Sequence, residues 1–106
     1  MFVFGSGVGG LSLITEPPLF EQAQAGSHLA LDDLMGRHDG LVQAVVRQQF
    51  LGSLPFDEAL QAGRIGLWRA ILGYDPHRGF AFSSYAWPAI MRQVWRAVKE
   101  HARAEA

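Results

Sequence analysis

Between Ser83 and Arg103 the side chains sort onto two opposite faces at helical spacing, and no other stretch restricts the fold as strongly. At about 100° per residue, Tyr85, Arg92, Arg96, Lys99 and Arg103 fall on one narrow stripe. Trp87, Met91, Val94, Val98 and Ala102 fall on the other side, with Ile90 beside them. A helix divided in this way docks one face on an apolar core and presents cations along the other. Ser83 reads as its N-cap. Pro88 comes early enough to cost few intrahelical bonds.

The core must come from further helices upstream. One is expected from Phe56 to Tyr74, with Asp57 and Glu58 in the first turn, where the helix dipole favours acids. Its apolar positions are Leu60, Leu67 and Ile71, with Ile65, Trp68 and Leu72 widening the stripe. Gly63 and Gly66 cost such a helix about 1 kcal/mol each relative to alanine, but they let another helix approach closely. Before the connector Gly52–Pro55, Leu41–Phe50 shows the same periodicity, and Leu29–Met35 shows it more weakly. Asp75-Pro-His-Arg-Gly79 reads as a tight turn, with glycine supplying a positive φ. Residues 1–27 read as an irregular or flexible leader, with four glycines in the first ten positions and Pro17-Pro18 to stop a helix. The expected fold is all-α: a compact bundle of three to four helices over residues 28–106.

At 106 residues the chain fits a single small domain. It has no cysteine, which excludes disulfide scaffolds, thiolate zinc sites and cysteine nucleophiles. No apolar run reaches the roughly 18–20 residues of a membrane span, and the N-terminus lacks the basic start of a secretory signal, so a cytoplasmic location is expected. The net charge of −1 hides a division. Residues 1–40 carry five acids against Arg37, and residues 41–106 carry eight cations against five acids. A basic C-terminal half beside an acidic N-terminal third points to a polyanionic partner.

Gly5-Ser-Gly-Val-Gly-Gly10 has the spacing of a dinucleotide loop. The long helix and acid-bearing second strand that such a site needs do not follow, so a flexible leader explains it better. His28, His38, His77 and His101 show no ligand spacing. There is no nucleophile elbow and no paired-carboxylate arrangement. The chain therefore reads as a binding protein without enzymatic activity, metal or cofactor. The cationic stripe suits phosphates, and Tyr85 suits an unstacked base. A solvated basic face that complements the helix dipole explains the same periodicity. Just upstream, Phe80, Phe82, Tyr85 and Trp87 fall within eight residues. Aromatics at that density build cores or stacking platforms, and both hold if Phe82 points inward and Tyr85 outward.

Phe56-Asp-Glu-Ala-Leu-Gln-Ala-Gly-Arg-Ile-Gly-Leu-Trp-Arg-Ala70 and Tyr74-Asp-Pro-His-Arg-Gly-Phe-Ala-Phe-Ser-Ser-Tyr-Ala86 stand in order. Together with Leu41-Val42 and the helix after it, they resemble region 2 of the bacterial sigma-70 family of RNA polymerase promoter-specificity factors. The resemblance covers about two-thirds of the chain. It implies that the Phe56–Tyr74 helix docks on the clamp helices of the largest subunit of core RNA polymerase, through Glu58, Gln61, Arg64 and Trp68. It also implies capture of the non-template strand of the minus-ten promoter element. Tyr85 would stack under a flipped adenine, with Phe80, Phe82 and Trp87 around it, and Arg92, Arg96 and Lys99 on the backbone or duplex edge. An anti-sigma factor is a further partner that the resemblance allows.

Pro88 and Ala89 stand where primary members carry a tryptophan pair, so the likeness is nearer to alternative sigma factors. Ala59 and Ala62 replace a leucine and an acid of the docking helix. The 106 residues hold no second, helix-turn-helix promoter-reading domain, so either a truncated factor or a stand-alone module is expected. The rival reading is a regulatory interaction module that docks on polymerase without opening promoters.

Overall fold

A computed structural model describes residues 16–105. These form five helices: α1 (Glu16–Gln24), α2 (His28–Arg37), α3 (Asp39–Arg47), α4 (Phe56–Gly73) and α5 (Phe82–Glu105). Among the described residues the fold is all-α, as the periodicity implies, with one helix beyond the three or four expected. That helix is α1, which corrects the irregular reading of the leader over residues 16–24. Pro17 and Pro18 occupy its first turn, where a missing N–H and a fixed φ suit a helix start. Leu19, Phe20 and Ala23 then face the core. The remainder of the expected leader before residue 16, with its Gly5–Gly10 motif, lies outside the described residues.

Ser27 caps α2, its Oγ accepting the Ala30 N–H at 3.2 Å. Helix α3 stops at Arg47, so Phe50 lies in the connector and is exposed rather than closing that helix. The Asp75–Gly79 turn forms as expected. Asp75 Oδ1 accepts the His77 N–H at 2.9 Å, and Gly79 sits at φ +88°. Helix α5 starts at Phe82, with the Ala81 carbonyl accepting the Tyr85 N–H, which places Ser83 inside the first turn instead of at the cap.

Helices α4 and α5 form the centre of the bundle. They meet at Gly66, where a Cβ would lie 2.6 Å from Ile90 Cα and 2.7 Å from the Ala89 carbonyl oxygen. Gly63 lets α3 in, since a Cβ there would lie 2.7 Å from Val42 Cγ1. The core collects Leu34, Val42, Val45, Val46, Leu67, Ile71, Ile90 and Val94. On α5 the buried strip is Phe82, Ala86, Ile90 and Val94. Trp87, Met91 and Val98 are half-buried, and Ala102, expected on the inner side, is exposed.

The apolar stripe expected on α4 also needs correction. Its buried face is Ala59, Gly63, Gly66, Leu67, Ala70 and Ile71, while Ile65, Trp68 and Leu72 are exposed. Small residues take the inner positions because close backbone approach leaves no room for larger ones.

Polar contacts fasten α1 at its first residue and in its second turn. Glu16 lies 3.0 Å from His38 Nε2, and Glu21 lies 2.7 Å from His77 Nε2. The hydrogen bond to Glu21 is the main reason that the His77 pKa is raised above its ordinary 6.5. Because the folded value is the higher one, this tether is fully present below pH 6.5 and is lost as pH rises through the raised value. An NMR titration is expected to show the raised value in the native chain and an ordinary one in Glu21→Gln.

Candidate functional site

The segment from Tyr74 to Tyr85 carries an aromatic cluster in two layers. Tyr74 and Phe82 are buried, with ring centroids 5.1 Å apart, and Phe20 of α1 lies 4.9 Å from both. The Tyr74 hydroxyl donates to the Phe80 carbonyl. Over this base lie the exposed rings of Phe80 and Tyr85, 5.8 and 5.6 Å from Tyr74. The structure thus separates the expected strand-contacting aromatics. Tyr85 is 38% exposed and Phe82 only 6%, so Phe82 presents no ring face to solvent. Trp87 is half-buried against the core.

From Tyr85 a shallow pocket of about 300 Å³ runs along the junction of α4 and α5. Gly66, Ala70 and Ala89 line it with small side chains, and Arg69, Arg92, Gln93 and Arg96 add polar groups. It continues into a second concavity lined by Arg92, Trp95, Arg96, Lys99 and Arg103, with Glu100 as its single acid. The cationic stripe expected on α5 therefore forms one wall of a groove. Sequence reasoning missed Arg69 and Trp95. Arg69 sits one position before Ala70 on the helix facing α5, a relation that appears only once the two helices are packed. Trp95 is 48% exposed among the cations and donates its ring N–H to Gln49 Oε1 at 2.8 Å.

A second surface lies on α4 and α2. Glu58, Gln61 and Trp68 are exposed, and Ile65 and Leu72 join them. Gln61, Arg64, Ile65 and Trp68 border a groove against Leu31, Asp32 and Met35 of α2. Arg64, expected to point at a partner, is engaged within the domain: its Nε donates to Asp39 Oδ1 at 2.9 Å. That bond, followed by the Gln43 amide, holds the Asp39 carboxyl below its ordinary range despite some desolvation. The pair's contribution is therefore present above pH 3.8 and disappears as pH falls through the lowered value.

Among the described residues no group of His, Asp and Glu is placed to hold a metal, and no helix is long and apolar enough to cross a membrane. What the bundle offers is a basic groove headed by an aromatic ring, and a separate apolar-rimmed face on a helix that both surfaces share.

The chain matches Sigma-70 region 2 over residues 34–104 and belongs to that family. It is 36% identical over 63 residues to the RNA polymerase sigma factor RpoS of Coxiella burnetii, covering 59% of this chain and 18% of that protein. It is 28% identical over 90 residues to the RNA polymerase sigma-H factor of Bacillus subtilis, covering 85% of this chain and 41% of that one. With RpoD of Helicobacter pylori strain 26695 it shares 35% identity over 63 residues, covering 59% of this chain and 9% of that protein. The matched segment thus spans less than half the length of each of these relatives.

Proposed function

We propose that this domain is a non-enzymatic transcription initiation module of the bacterial cytoplasm. It docks on the clamp helices of core RNA polymerase through the exposed face of α4, and it holds the non-template strand of the minus-ten element in the α4–α5 groove. The observation that carries this reading is Tyr85 standing exposed at the head of a groove walled by Arg69, Arg92, Arg96 and Lys99, within the family-matched segment. The cations neutralise strand phosphates, and the ring receives a base drawn out of the stack. Unstacking costs a few kcal/mol, and stacking on an aromatic ring offsets about 1–3 kcal/mol of it per base. Phe80, beside Tyr85, extends the platform, while Phe82 supports it from below. On the docking side Glu58, Gln61 and Trp68 meet the clamp, and Arg64, tied to Asp39, shapes the edge of that face.

The test is a fluorescence-anisotropy titration of a labelled minus-ten strand, performed with the polymerase clamp helices present. The native chain is expected to prefer the minus-ten sequence over a scrambled one, and Tyr85→Ala to weaken binding by about 5- to 150-fold, the range for one stacked base. Binding that is indifferent to sequence and unchanged in Tyr85→Ala would refute promoter reading and leave a polymerase-docking module. Salt dependence gives a further prediction. Each phosphate contact on a single strand adds about 0.7 to the slope of log affinity against log salt. The double variant Arg92→Ala/Arg96→Ala is expected to flatten that slope by about 1.4.

A further inference from the structure

Helix α1 lies outside the family match, which begins at residue 34, yet its contacts converge on the aromatic segment. Gln24 Nε2 donates to the Ile71 carbonyl at 2.9 Å and to the Tyr74 carbonyl at 2.6 Å. Ile71 belongs to the last turn of α4, whose carbonyls have no intrahelical donor, and Tyr74 follows directly. One side-chain amide thus closes the end of α4 from a helix about fifty residues away in sequence. Phe20, one turn before Gln24, wedges its ring against both Tyr74 and Phe82.

Tyr74 is the residue on which both exposed rings lean, Phe80 at 5.8 Å and Tyr85 at 5.6 Å. Its hydroxyl also fixes the Phe80 carbonyl. The Tyr85 hydroxyl in turn reaches Gly73, where a Cβ would lie 2.9 Å from it. The last residues of α4 therefore set where Tyr85 stands, and Gln24 holds those residues.

We infer that α1 is a positioning brace for the strand-reading segment: Gln24 and Phe20 fix Tyr74, and through Tyr74 the orientation of Phe80 and Tyr85. Capture of a base at Tyr85 then depends on a helix that lines neither the groove nor the docking face. The inference rests on the α4–α5 groove being the strand site. Gln24 and Phe20 are positioning residues. Gln24 is the informative one, because it is exposed and its loss lets water reach the two carbonyls without opening the core.

The test compares Gln24→Met, which keeps the length and removes the donor, with Gln24→Lys, which restores a donor to the same carbonyls. The full chain carries fluorotyrosine, and each variant is titrated separately with clamp helices and with the clamp-bound minus-ten strand. Gln24→Met is expected to shift or broaden the 19F signal of Tyr85 in the free protein. It should weaken strand binding about fivefold, the equivalent of one hydrogen bond, and leave clamp binding unchanged. Gln24→Lys should return both the signal and the strand affinity toward native values. An unaltered Tyr85 signal in Gln24→Met overturns the brace, as does an equal loss of clamp and strand binding, which marks general destabilisation. Failure of the native chain to bind the strand would instead overturn the assignment of the groove, and the 19F signal would still decide whether α1 orients Tyr85.

Discussion

Alanine at Gly66 is expected to destabilise the domain by about 2 kcal/mol, within the range for an overfilled core. For a domain of this size that corresponds to a fall of roughly 10 °C in the thermal midpoint. Helix propensity alone predicts the opposite sign, since alanine in a helix interior is favoured over glycine by about 1 kcal/mol. Contact decides the matter. The added methyl would sit 2.6 Å from Ile90 Cα and 2.7 Å from the Ala89 carbonyl oxygen, both of them backbone atoms that cannot rotate away. The α4–α5 pair must separate, and the buried strip from Phe82 to Val94 loses its packing with it. Gly63→Ala should cost less, because its closest neighbour is the Val42 Cγ1 methyl on a side chain. Gly36→Ala is the control: a Cβ there meets nothing within 4 Å, so it should gain up to about 1 kcal/mol. Thermal and urea unfolding followed by circular dichroism will rank the three. A Gly66→Ala chain as stable as the native one would contradict the close helix approach.

Trp68→Ala is expected to weaken docking on the polymerase clamp helices by about 30-fold or more, the effect of losing a hot-spot residue worth at least about 2 kcal/mol. The ring is 42% exposed, with Ile65 and Leu72 on the same face of α4 and Leu29 exposed on α2. The ring is more than half buried against the bundle, so its loss also costs stability, on the order of 1–2 kcal/mol, and clamp affinity is compared at a temperature where the variant is fully folded. Strand binding should persist, because Trp68 does not line the α4–α5 groove. Titration of the clamp fragment measures the loss, and undiminished clamp affinity would remove α4 from the docking surface.

The long helices were legible because periodicity marks them well. The stripe of Tyr85, Arg92, Arg96 and Lys99 emerged on the open side of α5, and the Asp75–Gly79 turn formed with the positive φ its glycine suggested. Two kinds of feature escaped. Pro17-Pro18 looked like a barrier because a proline pair ends a helix that arrives from upstream. The same pair favours a helix that starts there, and only the burial of Leu19 and Phe20 reveals which case applies. On α4, Ile65 and Leu72 look like core because they are large and apolar, and periodicity adds Trp68 to them although the family resemblance places it on the docking face. The true inner face is largely glycine and alanine, which hydrophobicity marks poorly and close packing requires. Ile65 and Leu72 instead extend the exposed apolar surface around Trp68 on the candidate docking face. Arg69 and Trp95 were missed for a related reason, since a groove between two helices belongs to neither helix's own periodicity.

On the proposed reading, one helical bundle holds a polymerase element and a promoter strand at once, on two faces that meet along α4. Sedimentation of the chain with the clamp-helix fragment and a labelled minus-ten strand tests it directly. A ternary complex is predicted, from which Trp68→Ala removes the clamp and Tyr85→Ala removes the strand. Displacement of the strand by the clamp, or loss of both ligands in either variant, would contradict it.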